Sequence, residues 1–310
     1  MKNVGVIGGG LIGASWAAIF SKSGFNVFVH DTYPEVFETF ESRVKLFLEE
    51  LKSIDGSINI EESLKKIKTN VAIEELCASV EYIQESAPEI LSVKQELFAK
   101  MDSLAADTII IASSSSAMPI SSITQNLKGQ HRCIIAHPAN PPHLIPCVEL
   151  CPGENTSQKT IEKAQEIFRI SGASIVNVRK EIDGFILNRL QGALLNEAMR
   201  LFSEGYANSD EIDATIRDGL GLRWAFMGPF ETIDLNAPGG IKDYIARYGP
   251  MYVEMAKSQK TIPDWSEKAG KRLEEERRKK LSHNQLIERA NKRNHLLKSL
   301  RKIKIDNNEI

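Results

Sequence analysis

The sequence has no apolar run near the roughly eighteen residues that a membrane-crossing helix needs, and Met1 to Val6 reads as strand rather than as a basic segment leading an apolar one. No membrane span is expected, and a cytoplasmic location is the expectation. Neither sign of charge dominates: 39 Lys+Arg face 41 Asp+Glu, a formal net charge of −2, so nothing global draws the chain to nucleic acid or to an anionic membrane. Cysteine is sparse. Cys77, Cys133, Cys147 and Cys151 form no CxxC pair, which speaks against a redox dithiol or a zinc site, and their apolar neighbours suggest burial as small hydrophobes. No metal is expected. Internal repeats and low-complexity linkers are also lacking, and 310 residues suffice for roughly two domains.

What is present begins at once. Residues Val4 to Gly13 read VGVIGGGLIG, a short apolar strand running into the spacing GxGxxG at Gly8, Gly10 and Gly13. Gly8 permits the tight turn, Gly10 lets backbone approach phosphates, and Gly13 lets the following helix pack on the strand. Ile12, Trp16, Ile19 and Phe20 give Ile12 to Ser23 a helical period, Gly24 stops it, and Asn26 to His30 reads as a second strand. Asp31 at that strand's end suits the two hydroxyls of an adenosine ribose and would repel a 2′-phosphate, which indicates NAD rather than NADP. The helix N-terminus offers its free N–H groups to the pyrophosphate.

Residues 34–68 read as a helical insert of two helices broken at Asp55-Gly56-Ser57, either packed on the body or forming a lip over a cleft. Strand-like runs resume at Ile67 to Val71, Val80 to Ser86, Thr108 to Ala112, Arg132 to Ala136, Cys147 to Cys151 and Ala173 to Val178, with helical stretches such as Val93 to Met101 and Gln158 to Ser171 between them. This alternation predicts an α/β fold, an N-terminal doubly wound Rossmann-type sheet over residues 1–181. From about residue 182 strand signals vanish, predicting an all-helical C-terminal domain over 182–310. The charged tail Glu267 to Lys304 is expected as a solvated helix with i,i+4 pairs, against the alternative of a polyanion site.

Sites in open α/β sheets lie past the carboxyl ends of strands, and two such ends are polar: Ser113 to Ser116, and His137-Pro138-Ala139-Asn140-Pro141-Pro142. The prolines stiffen the second loop, holding His137 at a strand tip. Glu149, twelve residues on in an apolar run, needs a partner, and His137 can be that partner. A carboxylate on one ring nitrogen leaves the other to take a hydroxyl proton as hydride leaves the same carbon.

The glycine fingerprint, Ala112 to Ser116, His137-Pro-Ala-Asn-Pro and Asp183-Gly184-Phe185-Ile186-Leu187-Asn188-Arg189-Leu190 together resemble the 3-hydroxyacyl-CoA dehydrogenase family over essentially the whole chain. The resemblance implies His137 as general base, Glu149 as its orienting partner, and Ser116 and Asn188 as hydrogen-bonding groups at the reacting oxygen. It implies a cofactor side of Gly8, Gly10, Leu11, Ile12, Gly13, Asp31, Glu89, Lys94 and Asn140, a site between the two domains, and a homodimer formed through the helical domain. The stretches His137 to Leu150 and Gly219 to Pro229 are most like the lambda-crystallin branch, which implies oxidation of a small hydroxy acid at its 3-hydroxyl, with L-gulonate to 3-dehydro-L-gulonate the preferred case.

Two features separate this chain from acyl-CoA enzymes of the family: Ser114-Ser115 replaces the usual Asn-Thr, and the lysines of the insert, Lys65, Lys66 and Lys68, make no convincing CoA-phosphate cluster. Arg223, beside Trp224 and Phe226, is a candidate fork for a substrate carboxylate, with a structural stack on Trp224 as the alternative. A short-chain 3-hydroxyacyl-CoA dehydrogenase, a carnitine 3-dehydrogenase and a non-catalytic NAD-binding crystallin-like protein remain as alternative readings.

Overall fold

The computed structural model describes residues 2–309. It comprises a first unit of residues 2–189 with 294–303 and a second of residues 190–293 with 304–309.

The first unit begins β1 (Asn3–Ile7), α1 (Leu11–Lys22), β2 (Asn26–His30), α2 (Phe37–Lys52), α3 (Ile60–Lys65), β3 (Ile67–Lys68), α4 (Ile73–Ser79) and β4 (Tyr82–Glu85). It continues α5 (Leu91–Leu104), β5 (Ile110–Ser113), α6 (Ile120–Ile123), β6 (Cys133–Pro138), β7 (Cys147–Pro152), α7 (Gln158–Ile170) and β8 (Ser174–Asn177). The eight strands form one sheet in the order β3-β2-β1-β4-β5-β6-β7-β8, with the chain reversing direction across the sheet after β3. This is the doubly wound sheet that the alternation predicts. β3 is shorter than expected, and the short helices α4 and α6 span too few residues to display a 3.6-residue period.

Side-chain alternation along the strands builds two cores, one on each face of the sheet. Val4, Val6, Ile110, Ala112, Ile134 and Ala136 bury on one face with Trp16, Phe20 and Phe168. Ile83, Ile109, Ile111, Cys133, Ile135 and Cys151 bury on the other with Leu76, Phe98 and Met101. The apolar stripe of the insert, Phe40, Val44, Phe47, Leu48 and Leu51, joins the first of these cores, which favours packing over a lip.

One ladder runs against the rest. β6 and β7 pair antiparallel because the link 139–146 is too short for the crossover of about a dozen residues that a parallel neighbour requires. Their register sets His137 directly opposite Glu149.

The helices that follow are α8 (Leu187–Ser203), α9 (Ser209–Ala214), α10 (Gly221–Trp224), α11 (Pro229–Leu235), α12 (Gly240–Ser258), α13 (Glu267–Lys280) and α14 (Leu286–Asp306), with a π-helical stretch at Thr215–Leu220 before α10. The charged tail is more specific than a solvated helix. In the second unit Arg277 of α13 pairs with Asp210 and Asp213 of α9, Glu276 accepts the Ser209 N–H, and the Arg272 guanidinium lies 4.1 Å from the Phe202 ring centroid. Residues 294–303 of α14 belong instead to the first unit, where Arg301 donates to the His143 carbonyl at 2.9 Å. Among the described residues no helix is long and apolar enough to cross a membrane.

Candidate active site

The turn from β1 into α1 closes only with glycine. Gly8 has φ +99°, and a Cβ on Gly13 would stand 1.8 Å from the Gly8 carbonyl oxygen. Gly10 faces open space, and α1 starts with no side-chain cap and no acidic residue in its first turn. Its first N–H groups are therefore left for an external anion, and the 66 % exposure of Leu11 beside them leaves an apolar surface for a ligand to cover. Asp31 accepts the Gly9 N–H on Oδ2 at 2.6 Å and the Tyr33 N–H on Oδ1 at 2.9 Å, so it also shapes the loop. Bound at this turn, NAD would lay its pyrophosphate on the α1 N-terminus near Gly10, Leu11, Ile12 and Gly13, with its ribose toward Asp31.

Farther along the sheet, His137 Nδ1 lies 2.8 Å from Glu149 Oε2, and both residues are buried. Glu149 Oε1 accepts the N–H groups of Ile186 and Leu187 at 2.9 and 2.8 Å, at the start of the seventeen-residue helix α8. Burial alone would raise the Glu149 pKa, but the hydrogen bonds from His137, Leu187 and Ile186 outweigh it and hold the carboxyl below its ordinary 4.5. A depressed carboxyl adds stability above the unfolded-state value and loses it as pH falls through the folded value. An ionised carboxylate only accepts, so Nδ1 carries a proton, and in the neutral ring Nε2 is then the nitrogen that presents a lone pair. Among the described residues nothing bonds to Nε2.

Phe185, fully buried with its ring 5.5 Å from that of His137, adopts φ +50°, unusual for a bulky side chain. This strained backbone delivers the next two N–H groups to Glu149 and then presents Asn188. The Asn188 amide donates to the Ser116 carbonyl at 2.5 Å. Ser116 N–H and Ser115 Oγ in turn donate to Glu89 Oε1 at 2.8 and 2.6 Å.

Glu89 also faces Lys94, whose Nζ lies 3.4 Å from Oε2. Lys94 is only 1 % exposed. Its ammonium bonds Glu85 at 2.7 Å and the Ala87 carbonyl at 3.2 Å, so it reaches the site through Glu89. Glu85 is fully buried at the tip of β4 and also accepts from Ser113 Oγ and the Ala87 N–H. Nothing in the run Val80 to Ser86, which reads as ordinary strand, marks this carboxylate in the sequence. Ser114 Oγ accepts from Trp16 Nε1 and Gln84 Nε2, and buried Ser115 is bound to Glu89, so the Ser114-Ser115 departure belongs to the scaffold.

Asn140 is exposed in the loop after His137, and its peptide bond to Pro141 is cis. Arg223 lies in the second unit, exposed on α10. Its guanidinium makes no hydrogen bond, ion pair or ring stack among the described residues, so the structural stack on Trp224 is not formed. The cysteines are free. Burial raises the Cys77 thiol to about 11 and those of Cys133 and Cys151 to about 12, leaving them unreactive.

A dinucleotide turn at one strand tip and a carboxylate-held imidazole at another define an NAD-dependent dehydrogenase. The chain belongs to the 3-hydroxyacyl-CoA dehydrogenase family: the family model for the NAD binding domain matches residues 3–182, and that for the C-terminal domain matches residues 184–280. Rabbit (Oryctolagus cuniculus) lambda-crystallin is 38 % identical over 96 % of this chain and 95 % of its own length. An L-carnitine dehydrogenase of Streptomyces griseus is 35 % identical over 81 % of this chain and 74 % of its own. The solved structure of 5-formyl-3-hydroxy-2-methylpyridine 4-carboxylic acid 5-dehydrogenase, an NAD+-dependent dismutase, covers 98 % of both chains with a TM-score of 0.85; at 24 % identity it speaks to the fold.

Proposed function

We propose that the chain oxidises the 3-hydroxyl of a small hydroxy acid, with His137 as general base and L-gulonate, giving 3-dehydro-L-gulonate, as the preferred substrate. The observation that carries this is the buried His137–Glu149 pair with an uncommitted Nε2. His137 Nε2 takes the hydroxyl proton, and Glu149 stabilises the imidazolium that results. NAD, when bound, accepts the hydride from the carbon that bears the hydroxyl. Ser116 Oγ and the second N–H of the Asn188 amide supply hydrogen bonds to the oxygen as its charge develops.

The insert supports a small acid over a thioester. Lys66 pairs with Glu62 at 3.2 Å and Lys68 with Glu75 at 2.5 Å, which leaves Lys65 as the one lysine of the three without a carboxylate. For the substrate's carboxylate the sequence offers Arg223, whose fork is unpaired. NADH formation from L-gulonate, 3-hydroxybutyrate, carnitine and 3-hydroxybutyryl-CoA tests the reading. The highest kcat/KM is expected for gulonate, and Arg223→Ala should raise its KM while sparing NAD binding. A clear preference for the thioester would overturn the assignment.

The second unit exposes Leu222, Phe226, Phe230, Ile245 and Val253, apolar side chains that association would cover. A homodimer through these helices is part of the proposal. Sedimentation should give twice the chain mass, and Phe230→Asp should shift the equilibrium toward monomer.

A further inference from the structure

The backbone of Gly9 is held on both sides of its Cα. Asp31 takes its N–H at 2.6 Å, and Arg43 of α2 donates through Nη1 to its carbonyl at 3.1 Å. Arg43 Nη2 donates to Thr39 Oγ1 at 3.0 Å, and the half-buried guanidinium forms no ion pair among the described residues. A guanidinium carries five N–H donors, so part of the fork and all of the charge are uncommitted. Asp31 and Arg43 do not pair with each other, although they hold the two peptide groups on either side of the Gly9 Cα. One is an anion placed for ribose hydroxyls, and the other is a cation at the same turn with no counter-ion.

On the reading that NAD binds at this turn, we propose that Arg43 forms a latent receptor for a phosphate monoester on the adenosine ribose. The Asp31 carboxylate keeps it closed. The chain would then be NAD-selective through repulsion by Asp31 alone, with the attractive half of an NADP site already built. A phosphate facing an arginine fork makes short, charge-assisted and often bidentate bonds.

Calorimetric titration of NADH and NADPH into the full chain tests this without relying on turnover. Wild type should bind NADH and reject NADPH. Asp31→Ser should improve the NADPH Kd by about tenfold or more, since hydrogen bonds to charged groups carry that weight. Adding Arg43→Gln, which keeps a donor for the Gly9 carbonyl but removes the charge, should erase the gain and leave NADH affinity as in Asp31→Ser. Arg43→Met serves as the second variant, and thermal melts report whether each folds. The proposal is overturned if Asp31→Ser gains no NADPH affinity, if the double variant keeps the gain, or if Arg43→Gln weakens both dinucleotides equally. Failure of wild type to bind either would instead refute the cofactor site itself.

Discussion

Glutamine in place of His137 lowers turnover by about 10²- to 10⁴-fold, the usual contribution of a positioned acid or base, while NAD affinity stays close to that of the wild type. Glu149 is held ionised by its hydrogen bonds with His137 and with the N–H groups of Leu187 and Ile186, against the opposing effect of burial. Such a carboxylate fixes the tautomer of its neighbour and already faces Nδ1 when Nε2 takes the substrate's proton, so the transfer needs little reorganisation. A glutamine amide can bond to Glu149 but has no basic nitrogen. Steady-state kinetics with calorimetric NADH binding separates the outcomes. If both properties fall by one factor, the histidine serves the scaffold. Glu149→Gln is the companion variant, because its amide can donate toward Nδ1 and favours the opposite tautomer.

Alanine at Glu85 destabilises the first unit by about 3 kcal/mol or more, or roughly 6 °C in Tm, as expected when a buried ion pair loses one partner. Lys94, 1 % exposed, would be left with only the Ala87 carbonyl and the more distant Glu89 as partners. Ser113 Oγ and the Ala87 N–H would lose their acceptor as well. Urea unfolding measures the loss. Replacing both charges, Glu85→Leu with Lys94→Met, should recover much of it, because two apolar groups leave no stranded ion. A double variant as weak as the single one would show that the cost lies in packing.

Local chemistry explains why so much of this fold could be read from the chain. The glycine spacing reports a steric demand confined to six residues, and the unbroken apolar runs Ile109 to Ala112 and Cys133 to Ala136 report two buried faces directly. The partnership of His137 with Glu149 was also within reach, because a stiff, short link between two strands constrains their register, and the structure brings the pair to 2.8 Å. Glu85 and Lys94 were not recognised as a buried pair, since a charge at a strand tip and one on an amphipathic helix look like surface until β4, β5 and α5 close over them. The left-handed Phe185 carries no signal either, as only its neighbour Gly184 hints at an unusual backbone. The pairing of Arg277 with α9 depends on tertiary docking that charge patterning along one helix cannot reveal.

The return of residues 294–303 to the first unit carries a consequence for modularity. The two family-model matches meet between residues 182 and 184 and stop at 280, as though a single cut would yield two self-sufficient pieces. Yet the Glu50 carboxylate that holds the His143 ring also accepts from Asn294, and Arg301 caps the His143 main chain. The nucleotide-binding half is thus assembled from stretches near both ends of the sequence, and shortening the polypeptide from its far end would erode the part that begins at its near end.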